Sequence, residues 1–169
     1  MKTARDHWRP AYVGIGSNLD EPVSRVRRAF AALQDLRDSG FARFSGLFRS
    51  APMGPPDQPD FVNAAAALLT RLGPQDLMHA LQEIEDAQGR QRNVPHWGPR
   101  VLDLDLLVMG SLIVDEPGLQ IPHPGIAERN FVLFPLAEIA PHLLVPGRGS
   151  VQKLLTEIGN SGSRIERLE

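Results

Sequence analysis

The sequence predicts an α+β sandwich: one mostly antiparallel sheet with helices packed on one face. Three observations point there. Helical and strand periodicities are interspersed along the 169 residues rather than segregated into halves. Their order reads β-α-β-β-α-β, followed by helical extras. The second and third strands have no helix between them, as in an antiparallel hairpin.

Residues 11–16, Ala-Tyr-Val-Gly-Ile-Gly, read as a buried first strand. Ser17 to Asp20 turn the chain, and Asp20 is placed to cap a helix with Glu21 and Pro22 in its first turn. Val23, Val26, Phe30 and Leu33 then recur at helical spacing, to about Leu36. Asp38-Ser39-Gly40 ends that helix, and 43–50 reads as a second strand. Pro52 to Pro59 holds four prolines and a glycine, too many for a ladder, so it is a stiff loop. Phe61–Thr70 is a third strand with Phe61, Asn63, Ala65, Ala67 and Leu69 on one face. Gly73-Pro74 opens a second helix striped by Leu77, Leu81 and Ile84, and Gly89 stops it. Residues 101–109 form a fourth strand, with 112–114 as a short hairpin partner. A third helix covers Asn130–Ile139, begun near Ala127 and disturbed by Pro135. Val151–Ile158 closes the pattern as a short helix. Such an order is the ferredoxin-like arrangement, expected here as a single domain over 1–169.

Composition narrows the function classes. The formal net charge is −2, so there is no global pull toward nucleic acid or a membrane surface. Cysteine is absent, which excludes disulfides and thiolate metal sites; any metal must take oxygen or imidazole ligands. The first ten residues lack the apolar core of a signal peptide, and no apolar run reaches the ~18 residues of a membrane span. The expectation is a cytoplasmic protein.

Chemistry concentrates between Gly89 and Asp105. Asp103 and Asp105 are two apart in a strand, so both carboxylates project to one side with Cα atoms ~7 Å apart. Leu102, Leu104, Leu106 and Val108 fill the opposite face. Alone, such a pair is more often a solvated strand face. Here it follows Arg90, Arg92, His96, Trp97 and Arg100, with no acid between Asp86 and Asp103. Guanidinium forks match phosphate oxygens, and Mg²⁺ is held by one or two carboxylates plus phosphate. A nucleotide polyphosphate with its Mg²⁺ satisfies both halves. Gln82 and Glu85 share one side of the second helix away from its apolar stripe, as surface residues or as readers of a polar ligand edge. Phe61 and Asn63 suit a flat heterocycle with an amide-like edge, or else a core aromatic and an edge amide. His123, between Pro122 and Pro124, is stiffly held. Gly14-Ile15-Gly16 is a weak dinucleotide signal without its third glycine.

Taken together, these residues resemble the 6-hydroxymethyl-7,8-dihydropterin pyrophosphokinase family. The matching segments are Gly16-Ser17-Asn18-Leu19, then Pro52-x-Gly54 through Gln58-Pro59-Asp60-Phe61-x-Asn63-Ala64. They continue as Gly89-Arg90-x-Arg92, Trp97-Gly98-Pro99-Arg100-x-Leu102-Asp103-Leu104-Asp105, Pro122-His123-Pro124 and Glu128-Arg129-x-Phe131-Val132-Leu133. The resemblance implies a monomeric ferredoxin-like enzyme that moves pyrophosphate from ATP to the pterin's hydroxymethyl group and leaves AMP. It implies two Mg²⁺ ions on Asp103 and Asp105. It implies ATP contacts from Gln82, Glu85, Arg90, Arg92, Trp97, Arg100, His123 and Arg129, with Trp97 closing over the site. A pterin pocket would use Ser50, Ala51, Met53, Phe61, Asn63, Asp103 and Phe131. Arg90, Arg92, Trp97, Arg100, Asp103 and Asp105 would carry the catalysis. Gly125 departs from the family, where many members carry arginine after His-Pro. The alternatives are a non-catalytic pterin- or nucleotide-binding module on the same fold, and a ferredoxin-like RNA-binding module. The aspartate pair and loop arginines stand against the first, and the net charge against the second.

Overall fold

A computed structural model of the chain describes residues 7–93, 98–159 and 161–168. Its centre is an antiparallel sheet in the order β10-β3-β4-β1-β5, with β2 also paired to β4. The members are β1 (Arg9–Ser17), β2 (Ser39–Phe44), β3 (Phe48–Ser50), β4 (Phe61–Thr70), β5 (Asp103–Met109) and β10 (Ile165–Arg167). The helices are α1 (Pro22–Gln34), α2 (Pro74–Ala87), α3 (Asn130–Ile139) and α4 (Val151–Ile158). Taking β2 and β3 as one broken strand, the βαββαβ order and central β4-β1 pair are those of a ferredoxin-like sandwich.

Helices cover both faces, not one. Ala11, Val13 and Ile15 of β1 and Val62, Ala64 and Ala66 of β4 pack with Val26, Leu33, Leu77 and Leu81 of α1 and α2. The alternate residues Ala65 and Leu107 pack with Val132, Leu133 and Leu136 of α3 and Leu154 of α4. With both faces dry, the strands read as nearly continuous apolar runs, which hides the second helical layer from the sequence. The stripes Val23-Val26-Phe30-Leu33 and Leu77-Leu81-Ile84 both face the first core, as their spacing predicts.

Several boundaries differ from the sequence pattern for local reasons. Glu21, not Asp20, is the N-cap of α1; it has φ 63° and makes no side-chain cap bond. The second strand breaks in two: Phe44 faces Ala66 and Phe48 faces Asn63, so three residues oppose two and Gly46 bulges out. In β5, Tyr12 faces Val108 while Val13 faces Leu106, so Leu107 is an extra residue. The bulge reverses the phase beyond it. Val108 therefore joins the second core and Met109 the first, correcting the expected single leucine face. The hairpin is shifted and self-contained: β6 (Val114–Glu116) pairs with β7 (Leu119–Ile121) in a sheet of its own. β8 (Leu144–Val145) and β9 (Gly149–Ser150) form another small hairpin before α4. A 3-10 turn over Ile126–Glu128 precedes α3, which keeps Pro135 inside it.

Candidate active site

Asp103 and Asp105 enter a cleft on the second face of the sheet, beside the N-terminus of α3. Their partners across β1 are Gly16 and Gly14. Neither glycine has a side chain, so the space above the carboxylates stays open. A Cβ on Gly16 would lie 3.6 Å from Asn63 Oδ1 and 3.8 Å from the Phe61 ring, so a longer side chain would grow into the cleft. The Gly-x-Gly is thus a flat strand floor and not a phosphate-gripping turn. The side chains of Asp103 and Asp105 keep 36% and 32% of their surface exposed.

A hydrogen-bonded ion-pair network lies behind them. Glu85 is buried at 3% exposure and accepts from the Leu104 N–H at 3.1 Å, so it is not a surface residue. Burial pushes its carboxyl up, against the pull of that N–H and of Arg90. Arg90 Nη1 donates to Glu85, to Asp103 Oδ1 at 2.6 Å and to the Leu102 carbonyl at 3.2 Å. Desolvation works against the Arg90 charge, but the Asp103 bond and the surrounding acids outweigh it and hold its pKa up. Arg90 Nε is buried without a partner among the described residues, a donor that an oxyanion would satisfy. Arg25 and Gln88 exchange side-chain-to-carbonyl bonds at 2.9 and 3.3 Å, tying α1 to the end of α2 just before Arg90. Gly89, at φ 90°, makes the turn there.

Asp105 lies deep enough in the concave cleft that loss of hydration, then the Asp103 charge, raises its pKa to about 7. Its neighbour His123 stands 4.0 Å away. The Gly125 N–H donates to His123 Nδ1 at 3.1 Å, which leaves Nε2–H as the donor facing the carboxylate. Burial lowers the His123 pKa, and Arg129 lowers it further. A Cβ at Gly125 would meet Arg129 Nε at 2.7 Å. The glycine that departs from the family pattern therefore lets the Arg129 guanidinium lie over this turn.

The other wall is apolar and amide-bearing. Asn63 Nδ2 donates to Ser50 Oγ at 2.8 Å, which fixes the orientation of the amide plane. Asn18, 2% exposed, braces both sides of the cleft. Its Nδ2 donates to the Pro59 carbonyl at 2.9 Å and to Gln58 Oε1 at 3.0 Å, and its Oδ1 accepts from the Arg100 N–H at 2.8 Å. Sequence reasoning gave Asn18 no role, although the Gly16-Ser17-Asn18-Leu19 segment carried the signal.

Twelve of the singled-out residues line one cleft of about 270 Å³: Ser50, Ala51, Met53, Phe61, Asn63, Arg90, Arg100, Asp103, Asp105, His123, Arg129 and Phe131. Gly14, Gly16, Gly54, Gly98 and Val132 also line it. Glu85 stands behind the wall through Arg90. Arg92 turns outward, 2.6 Å from Asp86 Oδ1 and 3.3 Å from the Gln82 carbonyl. Trp97 and His96 lie outside the described residues. Asp105 and His123 also line an adjoining groove, with Met78 of α2 and Asp115–Gln120 of the β6–β7 hairpin. Gln82 follows Met78 by four residues, on the same side of α2. The arrangement can hold a polyanion and a hard cation beside a slot for a flat ring.

Comparison with known proteins agrees with this chemistry. Residues 12–141 match the family model described as 7,8-dihydro-6-hydroxymethylpterin-pyrophosphokinase. A 2-amino-4-hydroxy-6-hydroxymethyldihydropteridine pyrophosphokinase of Pseudomonas aeruginosa is 46% identical over 93% of this chain and 95% of its own. The protein of that name from Haemophilus influenzae is 41% identical, over 89% and 93%. Among solved structures, an HPPK-DHPS in complex with substrates superposes with a TM-score of 0.68 at 12% identity, covering 92% of this chain. The wild-type Plasmodium falciparum HPPK-DHPS with pteroate gives 0.69 at 11% identity, covering 89%. The present chain spans 44% and 42% of those two, and at such identity the likeness speaks for the fold.

Proposed function

The chain belongs to the 7,8-dihydro-6-hydroxymethylpterin-pyrophosphokinase family, and on that premise we propose which of its residues carry the reaction. It is an ATP-dependent diphosphotransferase of folate biosynthesis, transferring pyrophosphate from ATP to the hydroxymethyl group of the dihydropterin and releasing AMP. The pterin ring lies between Phe61 and Phe131, with Asn63 reading its polar edge and Ser50, Ala51 and Met53 around it. Asp103 and Asp105 are the residues that would hold two Mg²⁺ ions. Such ions would supply charge neutralisation for the phosphates and a lowered pKa for the attacking hydroxyl. Two carboxylates above a glycine floor suit that role, since Mg²⁺ takes the rest of its shell from phosphate and water.

Arg90, Arg100, Arg129 and the Nε2–H of His123 bind the triphosphate and stabilise charge as it shifts to the bridging and leaving oxygens. Arg92 must leave Asp86 before it can reach the triphosphate, and Trp97 is taken as a further ATP contact. The adjoining groove takes the nucleoside of ATP, with Gln82 on its helix face, while Glu85 holds Arg90 from behind. No protein nucleophile is needed, because the hydroxymethyl oxygen attacks the β-phosphorus, so positioning is most of the work. We further take residues 1–169 as one domain acting as a cytoplasmic monomer. No helix among the described residues is long and apolar enough to cross a membrane.

The observation that carries these assignments is the convergence of residues from five separated segments on one cleft. The test resolves nucleotides after mixing protein, ATP, Mg²⁺ and 6-hydroxymethyl-7,8-dihydropterin, for the chain and for its Phe61→Ala and Asp103→Asn variants. AMP formed in step with pterin loss is expected, with the first variant weakened in pterin binding and the second in Mg²⁺-dependent turnover. ADP as product would overturn attack at the β-phosphorus, and an undiminished Asp103→Asn would overturn the metal assignment.

A further inference from the structure

We propose that the segment from Gly162 to Leu168 is a positioning strap that holds the pterin wall of the cleft in register. It would set affinity for the pterin far more than affinity for the nucleotide. The inference rests on the assignment of Ser50, Ala51, Phe61 and Phe131 to the pterin slot. The segment lies beyond the residues 12–141 that match the family, and it does not line the cleft.

The strap is attached at three places, each at or next to a slot residue. The first is β3, a strand of three residues with β4 on one edge and β10 on the other. The Ala51 N–H donates to the Arg164 carbonyl at 3.0 Å, just where the chain leaves the sheet for the proline-rich loop. At the other end of β3, the Leu168 N–H donates to the Leu47 carbonyl at 2.7 Å. Ser50, between Phe61 and Ile165 in the ladder, in turn orients the Asn63 amide. The second attachment is Asn130, whose Nδ2 donates to the Ser163 carbonyl at 2.6 Å and whose neighbour is Phe131. A Cβ on Gly162 would stand 2.4 Å from Asn130 Cγ, so a glycine is needed for this approach. The third is Arg164 with Asp60 at 3.2 Å, one residue before Phe61. Beyond them, Arg167 grips Glu138 with two bonds of 3.0 Å, and Glu138 also accepts from the Gly46 N–H at 2.8 Å.

The ion pairs are exposed and individually weak. Their common effect is geometric. Without β10, a three-residue strand becomes a free edge, and short edges open locally long before the rest of a domain does. If the slot were then ordered about a tenth of the time, apparent pterin affinity would fall about tenfold, by the fraction of competent molecules. Most of the triphosphate side is built on β5, the end of α2 and the His123 turn, which the strap's hydrogen bonds do not reach among the described residues; Arg129, next to Asn130, is the one triphosphate residue beside an attachment, against three attachments at the pterin wall.

The test uses two variants, a chain ending at Ser161 and the full chain with Gly162→Ala. Pterin and ATP dissociation constants, kcat, both KM values and Tm are measured for each. The expected result is pterin binding weakened about tenfold in the shortened chain, and in the same direction for Gly162→Ala, with ATP affinity and kcat at saturation changing far less. Unchanged pterin affinity overturns the strap. So does an equal loss on both substrates that follows Tm, which is plain destabilisation. If the shortened chain fails to fold, Gly162→Ala decides alone. An Asn63→Ala variant measured alongside separates the premise: full pterin affinity there would refute the slot assignment, whatever the strap variants do.

Discussion

Asp105 is the side chain whose chemistry depends most on its surroundings. Its carboxyl is raised to about 7 by lost hydration and by Asp103, with Arg129 and Arg90 pulling the other way. In metal-free protein the folded state then holds a proton that the unfolded state has already released above about pH 4. Folded protein binds more protons between about pH 4 and 7, so stability falls as pH rises through that window and levels off above it. His123, lowered by burial, acts oppositely, weakening the fold as pH falls below about 6.5. In EDTA, Asp105→Asn should therefore have a Tm that declines less from pH 5 to pH 8 than that of the parent. A parallel decline in both would refute the elevated carboxyl. With Mg²⁺ and ATP the same variant should lose turnover by roughly 10²–10³-fold while keeping its fold by circular dichroism. Arg92 presents a different case, because its guanidinium is held by Asp86 outside the cleft. Arg92→Ala should slow kcat by on the order of 10²-fold and leave pterin affinity intact. Collapse of pterin binding would place the arginine on the wrong substrate.

At the scale of elements, β1 and β5 decide the shape of the site. The aspartates face two glycines across the ladder, and the Leu107 bulge lets the same strand aim its acids at the cleft and then bury Leu107 and Val108 beneath α3. Gly16→Val should fold, since β-branched residues suit strands, but its methyls would stand beside Phe61 and Asn63. Pterin KM should rise by tenfold or more, about the 1.4 kcal/mol of one lost contact set. Titration of pterin into the variant, with Tm alongside, measures this; an unaltered KM would mean that the floor is deeper than the ring.

At the scale of the whole molecule, the sheet is covered on both faces, and the cleft lies where the second layer stops short. α3 covers β4 and β1 with Leu133 and Leu136, both fully buried, and places Phe131 at the cleft from its first turn. Leu133→Ala should remove about 2–5 kcal/mol of stability, the usual loss for a buried leucine truncated in a core that cannot collapse. Urea unfolding with an unchanged m-value would register it as a lower midpoint. A loss below about 1 kcal/mol would mean that α3 is a loosely attached cover rather than half of the core.

The sequence by itself determined the four helices and the long strands, but the short strands β7 to β10 escaped it. It also determined that Asp103 and Asp105 share a face, and that a cationic loop precedes them. These follow from periods of two and 3.6 residues and from side-chain chemistry, which are local properties. Only the tertiary structure decided that helices cover both faces and that Val108 changes sides. It also decided that Glu85 is buried behind Arg90, that Asn18 joins two loops, and that 162–168 fastens β3. Each of these depends on which strand lies beside which and in what register. A single inserted residue such as Leu107 reverses every face after it, and a partner a hundred residues away leaves no mark on the periodicity of the segment it touches.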